Sequence, residues 1–421
     1  MKLMSDINVH FENKKASRGF FVFIWLLYST VYMTKNCFSG ALSAIVQEGT
    51  LTLTQATWIN AAFFVAYAPL QVLGGMFADK YSPEKLITIG LIGSAISNAI
   101  IFFNQNFYVM LISWVFNALI QFALWPAVYK ILSSQLVRSD RSAMMFYISF
   151  SSLGGLVLTY VVSAFMPDWR YNFALSAVVL ILFALCLQFA CLRLSPIIKK
   201  DAAPESIAAS LDVKKGTRRN KGVWKIFAVS GFLVFLPSVF FKYMIDNSVK
   251  TLSPTMLMQS YENVSHTIGN LLNVFILLSG ALGIVLTRYL IFPKIIKNEL
   301  VCYTLMLGLA LPFAVVLKLV GALPIWLIVM SLCFISLLMS STAYLTNHYN
   351  LRFIQHGLNG TVAGTINSAA SFGAALQFLA FGSIADNLGW QTVTSLWVIL
   401  VAVSFVCAVV TICLGKRFFK E

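Results

Sequence analysis

From Tyr171 to Leu192 the chain runs for 22 residues without a charged side chain. A helix of that length rises about 33 Å at ~1.5 Å per residue, enough to cross the ~30 Å hydrocarbon core of a bilayer. Inside lipid each backbone N–H and C=O must be satisfied within the segment, which leaves the helix as the natural form for such a run. The pattern recurs along the chain. It predicts twelve spans, at 19–45, 56–78, 85–104, 107–131, 142–165, 171–193, 223–257, 264–290, 299–319, 322–347, 360–383 and 390–414. Only 11% of the residues are charged, against about a quarter in soluble domains. The fold class is therefore an all-α membrane protein, and the bilayer is its first partner.

A net charge of +15 would suggest nucleic acid if it were gathered on one surface. It is not. Of the 30 Lys and Arg, 25 fall on alternate connections between spans or on the two tails. That is the positive-inside pattern, and it places both termini in the cytoplasm. No nucleic-acid partner is expected. The seven cysteines all lie in apolar segments and none has zinc spacing, so they read as small hydrophobes. No metal and no cofactor is implied. The first 18 residues are polar and Gly19 opens a full span, so no cleaved signal peptide is expected.

Between the sixth and seventh spans lies a polar, basic stretch, 195–222, that reads as a cytoplasmic linker. It divides the chain into an N-terminal bundle, 1–194, and a C-terminal bundle, 223–421, each of six helices. Six plus six is the layout of secondary transporters built from repeats, with substrate bound where the repeats meet. No G-x-x-x-x-G-K-[ST] loop is present to power an ATP pump. No H-E-x-x-H set suggests an intramembrane enzyme. Twelve spans exclude a seven-helix receptor, and a monomer is expected.

Five basic residues escape the alternating pattern: Lys35, Arg170, Lys242, Lys250 and Lys318. Arg170 and Lys250 read as outer-surface residues, and Lys318 can snorkel from the outer end of the ninth span. Lys35 and Lys242 are different. Each lies inside the first helix of its half, and they stand 207 residues apart, close to the repeat length. Two ammonium groups aimed at one low-dielectric cavity repel unless an anion sits between them, so a small anionic substrate is implied. The alternative is local pairing. Asp246 stands one turn beyond Lys242, at i,i+4, whereas Lys35 has no carboxylate within local reach. Asp246 is the one acid placed at membrane depth, and proton-coupled carriers normally need buried carboxylates. Exchange of one anion for another does not. His348 is the titratable alternative, although a lone histidine there also fits a helix end.

GGMFADKYSPEK (74–85) resembles the signature between the second and third helices of the major facilitator superfamily. Gly75, Asp79 and Lys80 match its glycine, acid and base. RSDRS (138–142), with Arg141, and the Trp-Arg of DWRYNF recur at familiar places. GIVLTR repeats the signature in the second half with Gly283 and Arg288, but Thr287 replaces the acid. Within the superfamily the chain is similar to the organophosphate:phosphate antiporters. YSTVYMTKNCFSGA aligns Tyr28, Tyr32 and Lys35 with that family's first-helix motif. FFKYMIDNSVKTLSPTML puts Lys242 at its seventh-helix arginine, and Ser253-Pro254-Thr255 also match. FALWPAVYK and NGTVAGTINSAASFG resemble its fourth and eleventh helices.

The resemblance implies that Lys35 and Lys242 clamp the phosphate, assisted by Tyr28, Tyr32 and Tyr67. Both family arginines are lysines here, which replaces a planar fork with a point charge. Gln71 stands where the family has a further lysine, and Phe150 where it has a histidine. A carboxylate or a differently phosphorylated metabolite therefore also suits such a cavity. Asn36, Asn117, Gln121, Tyr129, Asn367 and Ser371 are supporting polar candidates. The small residues around Asn367 and Ser371 also suit tight helix packing. The expected activity is exchange of an organic anion for a counter-anion across the cytoplasmic membrane. The rivals are a proton-coupled symporter of sugar acids or other carboxylates, and a non-transporting anion sensor.

Overall fold

The computed structural model describes residues 9–11, 13–134, 136–137, 139–140, 144, 147–194, 198–200, 223–350, 352–353 and 358–418. The described residues are helical almost throughout. Ten helices among the described residues are long and apolar enough to cross a membrane, and a shorter apolar one covers Phe150–Phe165. The chain is thus a multi-pass membrane protein.

Backbone contacts group it into two units, Met1–Thr50 with Ala62–Asp212, and Leu51–Ala61 with Val213–Glu421. The first unit opens with strand β1 (Val9–Phe11) and helix α1 (Lys14–Glu48). Asn13 caps α1 by accepting from the N–H groups of Lys15 and Ala16, and Gly49 ends it at a φ of +78°, the left-handed conformation glycine takes at low cost. Then come α2 (Leu53–Lys80), α3 (Pro83–Phe103), α4 (Phe107–Gln121), α5 (Leu124–Ser134), α6 (Ser149–Phe165) and α7 (Arg170–Leu194). Phe20, Ile24, Leu27, Tyr28 and Val31 recur at helical spacing on α1 and enter one buried cluster with Leu124, Val128 and Ile131 of α5. That is a single apolar stripe meeting its complement.

The second unit holds α8 (Val223–Val229), α9 (Phe232–Thr251), α10 (Ser253–Ser260), α11 (His266–Leu286), α12 (Glu299–Leu317), α13 (Ile325–Tyr349), α14 (Asn359–Leu388) and α15 (Trp390–Phe418). A π-helical turn, Thr287–Ile291, follows α11. The first two turns of α2 belong with this unit. The Thr54 N–H and hydroxyl both donate to Asp386 of α14, each at 2.6 Å, and the Trp58 indole donates to Ser383.

The pairing of helices repeats between units. In the first, α1 packs on α6 and α7, and α3 on α4 and α7; in the second, α9 packs on α14 and α15, and α12 on α13 and α15. Lys35 on α1 and Lys242 on α9 therefore sit on helices that play the same part in their own units.

Two expectations need correction. The span predicted over 223–257 is three helices. Gly231 adopts a φ of +76° between α8 and α9, and Pro254 opens a new first turn in α10, where a missing N–H costs nothing. Lys250 is not an outer-surface residue but a partner of Asp246. Within the predicted linker, β2 (Ile198–Lys200) pairs antiparallel with β1, Val9 opposite Lys200. The rest of the linker, 195–197 and 201–222, lies outside the described residues.

Candidate functional site

In the first unit the Lys35 side chain is half-buried and enclosed by aromatic rings. Its Nζ lies 3.9 Å from the ring centroid of Tyr67, 5.3 Å from Phe63, 5.6 Å from Tyr32 and 5.8 Å from Phe64. Among the described residues no carboxylate lies within ion-pair distance of it. Ring faces carry negative potential and attract a cation, so the ammonium is held without a counter-charge. Helical geometry explains the cage. Phe63, Phe64 and Tyr67 share a face of α2 at i, i+1 and i+4, and Tyr32 is three residues before Lys35 on α1.

A second aromatic run continues from the cage. Tyr28 meets Tyr32 edge-on at 5.4 Å and Trp125 at 5.0 Å, and Trp125 meets Tyr129 at 6.2 Å. The structure thus joins Tyr28, Tyr32 and Tyr129 through Trp125. Asn117 and Gln121 are buried one turn apart on α4, and the Gln121 amide donates to Asn117 at 2.8 Å. The Asn117 N–H2 has no acceptor among the described residues. Asn36 is satisfied locally, donating to the Tyr32 carbonyl at 2.8 Å.

The second unit treats its lysine differently. Lys242 is fully buried, with Nζ 3.3 Å from Asp246 and 3.8 Å from the Tyr243 ring centroid. Asp246 also binds Lys250, at 2.6 Å. All three sit on one stripe of α9 at i, i+4 and i+8. The Asn273 amide of α11 donates to the Lys250 carbonyl at 2.8 Å, and its own oxygen has no donor among the described residues. Two positive groups and one negative leave this stripe with a single net positive charge.

On α14, Asn367 is exposed and Ser371 half-buried. A Cβ on the neighbouring Gly373 would touch the Phe240 carbonyl, so α14 runs hard against α9 two residues from Lys242. His348 packs edge-on against Phe292 and Tyr344, at 5.1 and 4.8 Å. Lys80 is exposed over the Tyr81 ring. At the same end of α2, the Lys130 ammonium donates to the Ala78 carbonyl and so caps the helix. The backbone of α2 runs through Gln71, Gly75 and Asp79, but their surroundings lie outside the described residues, as does Arg141.

Phe63, Phe64 and Trp125 were not among the sequence-predicted site residues. In a chain with 35 phenylalanines no single ring stands out. Their offsets on α2 relative to Tyr67 carry the signal once Tyr67 is known to face Lys35.

A sequence profile described as Major Facilitator Superfamily matches residues 24–378. Membrane sensor protein UhpC of Escherichia coli (strain K12) is 24% identical over 174 residues, covering 41% of this chain and 39% of that protein. The phosphoglycerate transporter protein of Salmonella typhimurium is 26% identical over 170 residues, covering 38% of this chain and 36% of its own length. The matches thus span under half the length of these relatives. A crystal structure of a bacterial homolog of the human lysosomal transporter Spinster, inward-facing and occupied, matches with a TM-score of 0.70 at 15% identity, over 97% of each chain. At that identity the likeness concerns the fold.

Proposed function

The chain belongs to the Major Facilitator Superfamily, and on that premise we propose that it is a secondary transporter for an organic anion, exchanging a phosphorylated metabolite for inorganic phosphate across the cytoplasmic membrane. The family and the relatives above are membrane transporters and a sensor, not enzymes. In this reading the chain forms twelve membrane helices as two six-helix halves, joined by the linker at 195–222, with both termini cytoplasmic. Alternating access follows from rocking of the halves.

The observation that carries the proposal is Lys35. An ammonium at membrane depth is costly and normally faces a partner or a cavity. Four rings hold it, and no described carboxylate does. It is therefore available to a substrate anion at no cost in a broken ion pair. Lys242 supplies the second cation from the matching helix of the other half. Asp246 sets its position and is shared with Lys250. Tyr67 assists by holding the Lys35 ammonium with its ring face, and Tyr28, Tyr32, Gln71, Tyr129, Asn367 and Ser371 supply hydrogen bonds to the remaining substrate oxygens. Gly75, Asp79, Lys80 and Arg141 serve the conformational change. The phosphate-ester assignment draws on the phosphoglycerate transporter among the relatives.

The test is uptake of labelled phosphate into proteoliposomes preloaded with phosphate esters, sugar acids or neither. Uptake that requires an internal ester supports exchange. Uptake driven by a proton gradient with no internal anion would instead favour carboxylate symport. A second reading comes from the sensor among the relatives: the same site binds the anion and no flux follows. Saturable binding with no uptake under any gradient would select it.

A further inference from the structure

Away from the candidate site, α1 and α7 of the first unit frame an apolar groove of about 680 Å³, within the ~300–1,000 Å³ of ligand-binding cavities. One face of α1 lines it, including Gly19, Phe20 and Phe23, and one face of α7, including Leu185, Phe189 and Arg193. Helical spacing brings these side chains to one side of each helix. Phe20 and Phe23 stack at 6.4 Å, and Phe23 on Phe183 at 6.0 Å, which forms an aromatic floor. Gly19 leaves the space open, since a Cβ there would meet nothing within 4 Å.

The groove has one polar wall. The Arg193 guanidinium, in the last turn of α7, folds over the Phe189 ring at 5.1 Å. Among the described residues no carboxylate lies within ion-pair distance of it. The same end of the bundle carries the exposed Lys14 and Lys15 in the first turn of α1 and the β2 strand with Lys199 and Lys200. Of the acids there, Asp140 is taken by Arg18 at 2.9 Å.

We propose that this groove is a binding site for one anionic phospholipid. An acyl chain lies along the α1–α7 groove, and the headgroup phosphate takes the Arg193 guanidinium, whose planar fork suits a phosphate. The basic first turn of α1 adds the attraction that polybasic segments have for anionic lipid. The site is separate from the Lys35 cage and does not depend on what the protein transports.

Native mass spectrometry of the full chain in detergent tests it, with dioleoyl-phosphatidylglycerol or dioleoyl-phosphatidylcholine added. The unaltered protein should retain the first phosphatidylglycerol about fivefold more tightly than phosphatidylcholine. Arg193→Gln should weaken phosphatidylglycerol more than phosphatidylcholine and so reduce the preference, with Lys14 and Lys15 keeping the remainder. Gly19→Leu fills the groove without a backbone clash, so it should weaken both lipids while leaving the lipid-free melting temperature intact. Equal retention of the two lipids by the unaltered protein overturns the proposal. So does a preference undiminished by Arg193→Gln, or a first lipid undisturbed by Gly19→Leu.

Discussion

One carboxylate on α9 serves two ammonium groups: Asp246 lies 3.3 Å from Lys242 and 2.6 Å from Lys250. Lys242 is fully buried and Asp246 nearly so. Removing one member of a buried pair typically costs about 3–5 kcal/mol, because the other charge is left without compensation. Asp246→Asn strands Lys242, and its loss of stability should approach that range. Lys242→Met should cost less, since Lys250 continues to neutralise Asp246. Combining the two should cost less than their sum, the signature of direct coupling. Chemical denaturation in detergent measures all three, and additive losses would show that the pair does not act as a unit.

Lys35 should behave in the opposite way. Its removal leaves no described carboxylate unpaired, so Lys35→Met should melt close to the unaltered protein. Anion exchange should nevertheless fall about tenfold or more, the size expected when one charge-assisted contact of about 1.5–3 kcal/mol is lost. Lys35→Arg should retain part of the exchange. Melting and flux measured on the same preparation separate the outcomes. A Lys35→Met variant with full exchange would remove Lys35 from the site.

The rings around Lys35 allow a finer test. Tyr67 comes nearest, with its centroid 3.9 Å from the ammonium. Tyr67→Phe keeps the ring face and removes only the hydroxyl. Tyr67→Leu removes the face, which is worth roughly 0.5–2 kcal/mol to a nearby cation. The apparent KM for the exchanged anion should rise severalfold for Tyr67→Leu and little for Tyr67→Phe. Equal effects would mean that the hydroxyl, not the ring, is what matters.

The sequence is most legible where apolar length alone decides. A charge-free run such as Tyr171–Leu192 has one stable form in lipid, and α7 covers it. It is least legible where local chemistry interrupts a long apolar run. The 223–257 stretch reads as one helix because its hydropathy is continuous, yet Gly231 and Pro254 break it through backbone conformation. Lys250 illustrates a second limit. Its place near the end of a span suggests the outer surface, but it is four residues from Asp246 on the same stripe, and ion pairing at low dielectric outweighs exposure. The lysine pair stands out in the sequence because charge is rare in such helices. The rings of Phe63 and Phe64 do not, because phenylalanine is common in these helices and only the distances from their rings to the Lys35 ammonium show that they face it.

Close helix approach supplies the last prediction. Gly155 of α6 lies so near α1 that an added Cβ would land on the Ser29 carbonyl, and Gly283 of α11 stands in the same relation to Leu337 of α13. Both obstacles are backbone atoms, so neither can turn aside as a side chain would. Gly155→Ala and Gly283→Ala should therefore each destabilise by about 1–3 kcal/mol, the usual cost of overpacking. Gly19 is the internal control. It too is helical, but open space surrounds the position of its Cβ. There alanine should stabilise by roughly 0.5–1 kcal/mol, because glycine loses more conformational freedom on folding. Denaturation midpoints for the three variants decide the matter. If all three shift in the same direction, helix propensity and not packing governs these positions, and the glycines do not set the spacing of the helices.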